Sequence, residues 1–317
     1  MTNLVFAVWR ENAGHRPNET VAQRIIALNT QIALVVAQTT PSFIVFVATE
    51  FIFMHANAAD DCLRWYTPAE KTATMKALAA SSRRFRRLLL AGGTICWARK
   101  QPHLFGKTEW NIRNDAPVHY NGQRLAMYGK RFNGGEVLDE DTLRLYRRRR
   151  GQLDLDTYVR DADGPDGERV YNRVQLTGTL GSIVGNRLNS VRMGADRIET
   201  PAAPGVRAAF DRYADRVRFT PGASDASFAI PGGNFTGGVE ICQEHNGPGQ
   251  AGRGTLQANS ARGPTNFHIL TSNTVSHRDG YENLVSPGYF VHCDPGQAPK
   301  WCVCRAPHAA RCRPPSG

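Results

Sequence analysis

Phe43-Ile44-Val45-Phe46-Val47-Ala48 runs straight into Thr49-Glu50. β-Branched and aromatic residues in unbroken succession, set off upstream by Pro41 and Ser42, read as a buried strand. A carboxylate at the end of such a strand is costly to bury, so Glu50 requires a chemical reason. Working outward, residues 18 to 38 carry Val21, Ile25, Ile26, Leu28, Ile32, Leu34 and Val35 at helical spacing, and Leu4 to Trp9 form an earlier apolar run of strand length. Downstream, Thr67-Pro68-Ala69-Glu70 has the pattern of a helix start with proline at the first helical position, opening a periodic segment over 67 to 87. Leu88 to Trp97 then reads as one strand. Strands alternating with amphipathic helices imply a layered α/β domain with a mixed sheet.

The next strands, Ala116 to Tyr120 and Arg124 to Tyr128, are joined by Asn121-Gly122, whose tolerance of positive φ makes a tight hairpin. From about 138 to 216 the pattern gives way to Arg, Asp, Gly and Pro with scattered helical stretches, an insertion over the domain surface with too few apolar residues for a core of its own. Phe228 to Ile230, Gly237 to Cys242, Phe267 to Thr271, Tyr289 to Cys293 and Trp301 to Arg305 read as further strands. The expected organisation is one domain over 1–305, interrupted by the insertion at 138–216, followed by a flexible tail at 306–317.

Composition narrows the class. With 317 residues, 41% of them apolar, the chain can bury a sizeable core, and its 30 Gly and 18 Pro fall well short of the roughly 25–30% of low-complexity chains. The apolar stretch Ile32 to Met54 is interrupted by Gln38, Pro41 and Glu50, and the first fifteen residues lack a basic region followed by an apolar one. The cytoplasm is therefore the expected compartment. Cys62, Cys96 and Cys242 lie far apart, while Cys293, Cys302, Cys304 and Cys312 crowd the C-terminus without zinc-site spacing. Neither a metal nor another cofactor is expected. The net charge of +11 is concentrated in runs at 83–87 and 144–150, which read as solvated surface; no aromatic ladder accompanies them, so neither nucleic acid nor a membrane is expected as a partner.

Three stretches each place a reactive polar group at a strand end: Phe46-Val47-Ala48-Thr49-Glu50-Phe51, Tyr128-Gly129-Lys130-Arg131-Phe132-Asn133-Gly134-Gly135-Glu136, and Gly238-Val239-Glu240-Ile241-Cys242-Gln243-Glu244-His245. In that order they resemble the nitrilase superfamily of carbon–nitrogen hydrolases, over nearly the whole chain from Leu4 to Arg305. The resemblance implies a four-layer α-β-β-α sandwich with mixed sheets, assembled as a homodimer or higher homo-oligomer. It implies Cys242 as nucleophile, Glu50 as general base, Lys130 as the cation beside both, and Glu136 as an orienting carboxylate. The backbone N–H of Gln243 would complete an oxyanion hole. Glu244, His245 and Asn273 are candidate substrate-binding residues, with Trp110 a further pocket candidate. Cys-x-Glu-His looks more like the nitrile-hydrolysing branch than the Cys-x-Asp of amidases. Two features depart from the family: Thr49 stands where a proline usually precedes the glutamate, and Lys130 and Cys242 are 112 positions apart, several times the usual interval. The implied reaction is hydrolysis of a small linear amide through a cysteine thioester. Alternatives are a nitrilase working through a thioimidate, and an inactive binding protein using the basic insertion.

Overall fold

The computed structural model describes residues 4–11, 19–38, 43–55, 65–102, 108–131, 142–149, 152–163, 169–173, 190–193, 215–220, 222, 226–246, 254–273, 275–296 and 300–304. The first part supplies β1 (Leu4–Trp9), α1 (Val21–Gln38), β2 (Phe43–Ala48), α2 (Pro68–Arg84), β3 (Leu88–Ala91), β4 (Ile95–Pro102), β5 (Thr108–Tyr120) and β6 (Gln123–Gly129). The middle supplies β7 (Thr142–Arg149), β8 (Gln152–Asp163), β9 (Arg169–Arg173) and β10 (Ser190–Met193). The last part supplies β11 (Asp215–Phe219), β12 (Ser227–Ala229), β13 (Thr236–Ile241), a 3₁₀ turn over Cys242–Asn246, α3 (Thr255–Asn259), β14 (Thr265–Thr271), β15 (Leu284–Cys293) and β16 (Lys300–Cys304).

One sheet of seven strands runs β1-β2-β3-β5-β11, with β4 and β6 also paired to β5. A second, of five strands, runs β12-β13-β14-β15-β16. The two meet face to face: Val45 and Val47 of β2 and Val118 of β5 share one apolar cluster with Val239 and Ile241 of β13, Ile269 of β14 and Val291 of β15. The alternate residues of β2, Ile44 and Phe46, join Leu88 and Leu90 of β3 in packing against Leu28 and Ile32 of α1 and Leu78 of α2. Both faces of β2 are thus buried, which is why its sequence is continuously apolar rather than alternating. By length and composition α1 could cross a membrane, yet its Leu28 and Ile32 are fully buried here. The start of α2 is fixed by a reciprocal cap, in which the Glu70 N–H donates to Thr67 Oγ1 at 3.2 Å and the Thr67 N–H donates to Glu70 Oε2 at 2.7 Å.

The structure departs from the sequence expectations in two places. The expected strand Leu88 to Trp97 is two strands, because Gly93 takes φ +89 between them and a Cβ there would lie 2.5 Å from the Thr49 carbonyl oxygen. The insertion holds no helix among its described residues; β7 to β10 form an antiparallel four-stranded sheet in the order β10-β9-β8-β7. Leucines at 143, 145, 153 and 155 alternate with polar residues at strand spacing, and Arg147 is opposite Asp154 in the register. The fold is mixed α/β, as expected: among the described residues a helical layer, two facing sheets and the five-residue α3 are present. The outer face of the second sheet carries buried Glu240, His268 and His292.

Candidate active site

Glu50 follows β2, Lys130 follows β6 and Cys242 follows β13, so two reactive groups come from one sheet and the third from the sheet facing it. Glu50 Oε1 accepts a hydrogen bond from Lys130 Nζ at 2.7 Å and another from Asn114 Nδ2 of β5 at 3.0 Å. The Cys242 thiol lies 3.9 Å from the backbone oxygen of Asn273 and is close enough to Glu50 and Lys130 to be acted on by both charges. Glu50, Lys130, Cys242 and Asn114 are all buried.

The chain enforces this meeting locally. Thr49 donates from Oγ1 to the Glu11 carbonyl at 2.5 Å. The Phe51 N–H donates to Thr94 Oγ1 at 2.8 Å, and Thr94 is available only because Gly93 breaks the strand. Thr271 Oγ1 donates to the Ala48 carbonyl at 2.8 Å, and the Glu50 N–H faces the Ser272 carbonyl at 3.4 Å, which pins the end of β2 to the end of β14. Gly129 and Gly222 let two backbones touch, since a Cβ on Gly129 would stand 2.5 Å from Gly222 Cα. Lys130 is held between them, its N–H donating to the Asn114 carbonyl at 2.8 Å and its own carbonyl accepting from Gly222 at 3.1 Å. Phe51 and Cys242 adopt φ 61 and 56. A left-handed non-glycine residue costs on the order of 1–3 kcal/mol and persists only where its surroundings over-determine it. Two of the four such residues among those described, Phe51 and Cys242, lie at the reactive cluster, Cys242 in the sharp turn from strand to 3₁₀ helix.

Burial pushes the Cys242 thiol well above its ordinary range, the Glu50 carboxylate adds to that, and the Lys130 ammonium opposes it. The resting Cys242 is therefore a thiol. Burial also pushes the Glu244 carboxyl up to about 8, against the opposing Tyr128 hydroxyl, the Arg131 N–H and Lys130. Glu244 accepts the Arg131 N–H and so ties the turn after Cys242 to the chain after Lys130. It braces the two strand ends against each other.

His245 points elsewhere. Its Nδ1 is 2.9 Å from Glu240 Oε2 and its Nε2 3.2 Å from the Arg278 carbonyl, on the outer face of the second sheet. His268 Nε2 also meets Glu240 Oε2, at 2.9 Å, and the Leu256 N–H donates to the other carboxylate oxygen. Burial raises the Glu240 pKa, but the two imidazoles outweigh it and hold the group well below the usual carboxylate range. Glu240, His245 and His268 bring potential ligand atoms within 4.8 Å of one another. The Asn283 N–H, however, donates to His268 Nδ1 at 3.0 Å, which leaves the ring proton on Nε2 and no lone pair there for a metal. The cluster is a hydrogen-bond network beneath the nucleophile's strand.

Of the other expected residues, Asn273 reaches the thiol through its backbone oxygen, and Gln243 follows Cys242 in the 3₁₀ turn. Trp110 lies in β5, while Glu136 lies outside the described residues. Sequence reasoning missed Asn114, Thr94 and Ser272 as site residues. Asn114 had a signal, an amide beside Asp115 in the middle of a strand that is otherwise buried around it.

No family model matches the sequence, and no curated protein matches it either. Among solved structures, the chain is similar to the Nesterenkonia AN1 amidase from the nitrilase superfamily, solved as a cysteine-to-alanine mutant, with 12% identity and a TM-score of 0.39 over 94% of this chain and 79% of the amidase. It is also similar to a glutamine-dependent NAD(+) synthetase from Cytophaga hutchinsonii, with 9% identity and a TM-score of 0.32 over 88% of this chain and 34% of the synthetase. Neither likeness bears on what the chain does, which rests on the site's own geometry.

Proposed function

We propose that the chain is a carbon–nitrogen hydrolase that cleaves a small linear amide to a carboxylate and ammonia through a thioester on Cys242. One observation carries this reading: a single buried carboxylate, Glu50, accepts hydrogen bonds from Lys130 and from Asn114 and acts electrostatically on the Cys242 thiol. A base, a cation and a nucleophile joined in this way suit acyl transfer.

In this mechanism the Cys242 sulfur attacks the amide carbon as Glu50 takes the thiol proton. That transfer neutralises the carboxylate, so the Lys130 charge is no longer spent on Glu50 and acts on the developing oxyanion. The Gln243 backbone N–H is the second donor to that oxyanion. Collapse of the tetrahedral intermediate breaks the carbon–nitrogen bond, with the Glu50 proton passing to the leaving ammonia. Glu50, again a carboxylate, then accepts a proton from water as the water oxygen attacks the thioester. The acid departs and the thiol regains its proton. Asn114 keeps the carboxylate in one orientation through both halves. Glu244, neutral below about pH 8, adds no second negative charge beside the nucleophile.

The test is a screen of short aliphatic amides and nitriles for ammonia release by wild type and by Cys242→Ala. Release by wild type with at least one amide, and none by the variant, is the expected result. Turnover of nitriles alone would replace the amidase reading with a nitrilase one. Equal turnover by the variant, or none by wild type on any compound, would end the hydrolase reading.

A further inference from the structure

On the outer side of the first sheet, away from the reactive cluster, the first turns of α2 and the strands β4 and β6 border an open groove of about 570 Å³, a volume typical of small-molecule sites. Its rim carries Lys76, Arg99 and Arg124, all three exposed. None of these three cations is in an ion pair among the described residues. Its one other cation, Lys71, is already neutralised: Nζ lies 2.8 Å from Asp115 Oδ2 and 3.9 Å from the centre of the Trp97 ring. The Trp97 indole N–H is likewise spent on Asp115, at 2.7 Å. With these polar groups satisfied, the floor left to a ligand is Met75, Met127 and the stem of Lys71. Arg124 also helps hold the buried His119 imidazole down at about 4, after burial itself, so the cation is felt inside the sheet.

Three cations facing one apolar-floored hollow repel one another, and an anion placed between them converts that repulsion into attraction. Two arginines suit phosphate oxygens in particular, because each guanidinium can offer two parallel N–H donors. We infer that this groove is a binding site for a small phosphate-bearing molecule of about mononucleotide size, with its phosphate between Arg99, Arg124 and Lys76 and its less polar part on Met75 and Met127. The site is independent of the hydrolase reading. It is nevertheless joined to the reactive cluster through β5, since Asp115 behind Lys71 adjoins Asn114, the donor to Glu50.

Isothermal titration of the full chain with inorganic phosphate, pyrophosphate, AMP and ATP tests this. At least one probe should bind at 1:1 stoichiometry with a dissociation constant below about 1 mM, weakening as salt is raised. Arg124→Glu and Lys76→Glu should each weaken that binding by about tenfold or more, with circular dichroism and melting temperature unchanged because both side chains are exposed. Met75→Ala should weaken AMP more than pyrophosphate. Failure of every probe to saturate would overturn the inference. So would binding that survives both charge reversals, which would assign the anion to another basic segment. A single-stranded RNA oligomer is the control: RNA binding that is indifferent to Arg124→Glu, with no small anion bound, would mean the chain's charge serves a polymer and not this groove.

Discussion

Replacing Glu244 with glutamine should make the protein more stable, and increasingly so as the pH rises. The Glu244 carboxyl titrates at about 8 in the folded chain against an ordinary 4.5, chiefly through burial. A raised acid pKa means that the folded state holds a proton which the unfolded chain gives up earlier. The group's contribution is therefore fully present below about pH 4.5 and is lost as the pH climbs through about 8. At about 1.4 kcal/mol per pKa unit, the loss across that window is on the order of 3–5 kcal/mol. Glutamine has no proton to lose, yet its carbonyl can still accept the Arg131 N–H, the backbone donor to the native carboxyl. Urea unfolding of wild type and Glu244→Gln at half-unit steps from pH 4.5 to 8.5 isolates the effect, since every other titrating group cancels in the difference. The two should be equal within error at pH 4.5 and diverge steadily, with the variant more stable. Parallel stability curves, or a variant less stable by a constant amount, would refute a buried neutral Glu244.

Other substitutions test the remaining supports. Gly93→Ala forces a Cβ to within 2.5 Å of the Thr49 carbonyl at φ +89; it should cost more than about 2 kcal/mol in thermal unfolding and lower kcat by displacing Glu50. Lys130→Met leaves the Glu50 carboxylate buried without its cation and should destabilise the fold by about 3–5 kcal/mol. In the fraction that folds, iodoacetamide should still alkylate Cys242 while acylation by substrate slows, as stopped-flow kinetics would report. Replacing residues 140 to 215 with a short Gly-Ser linker should preserve the circular dichroism of the main domain but change the substrate profile or the mass in solution; no change in either would make the insertion a passive elaboration.

How much of this was legible in the sequence varied with the physics. The strands at Leu4–Trp9 and Phe43–Ala48 and the helix beginning at Pro68 were readable because burial and capping each leave a local pattern. The hairpin was readable from Asn121-Gly122, which adopt φ 49 and 80. Glu50, Lys130 and Cys242 stood out as polar groups ending apolar strands, and the fold pairs Lys130 with Glu50 at 2.7 Å and leaves Cys242 within their electrostatic influence. What lay hidden depended on partners distant in sequence. Gly92-Gly93-Thr94 reads like the middle of a strand until Thr49 is seen against it. His245 sits three residues from Cys242, but its partner Glu240 draws it to the opposite face of the sheet. The strands of the insertion were masked because charges fill the alternate positions, so their period of two looked like a solvated loop. Asn114 is a further case, since nothing local tells that its amide reaches Glu50 across 64 positions of chain.

The central claim is that Cys242 carries the acyl group of an amide substrate, with Glu50 moving its proton. The most direct test is rapid acid quench of wild type with the best amide from the screen, followed by peptide-resolved mass spectrometry. The account predicts an acyl thioester on the peptide containing Cys242 in wild type, and no adduct in Glu50→Gln although that variant binds the same amide. Steady turnover with no acyl group ever found on Cys242, or acylation at an undiminished rate in Glu50→Gln, would contradict it.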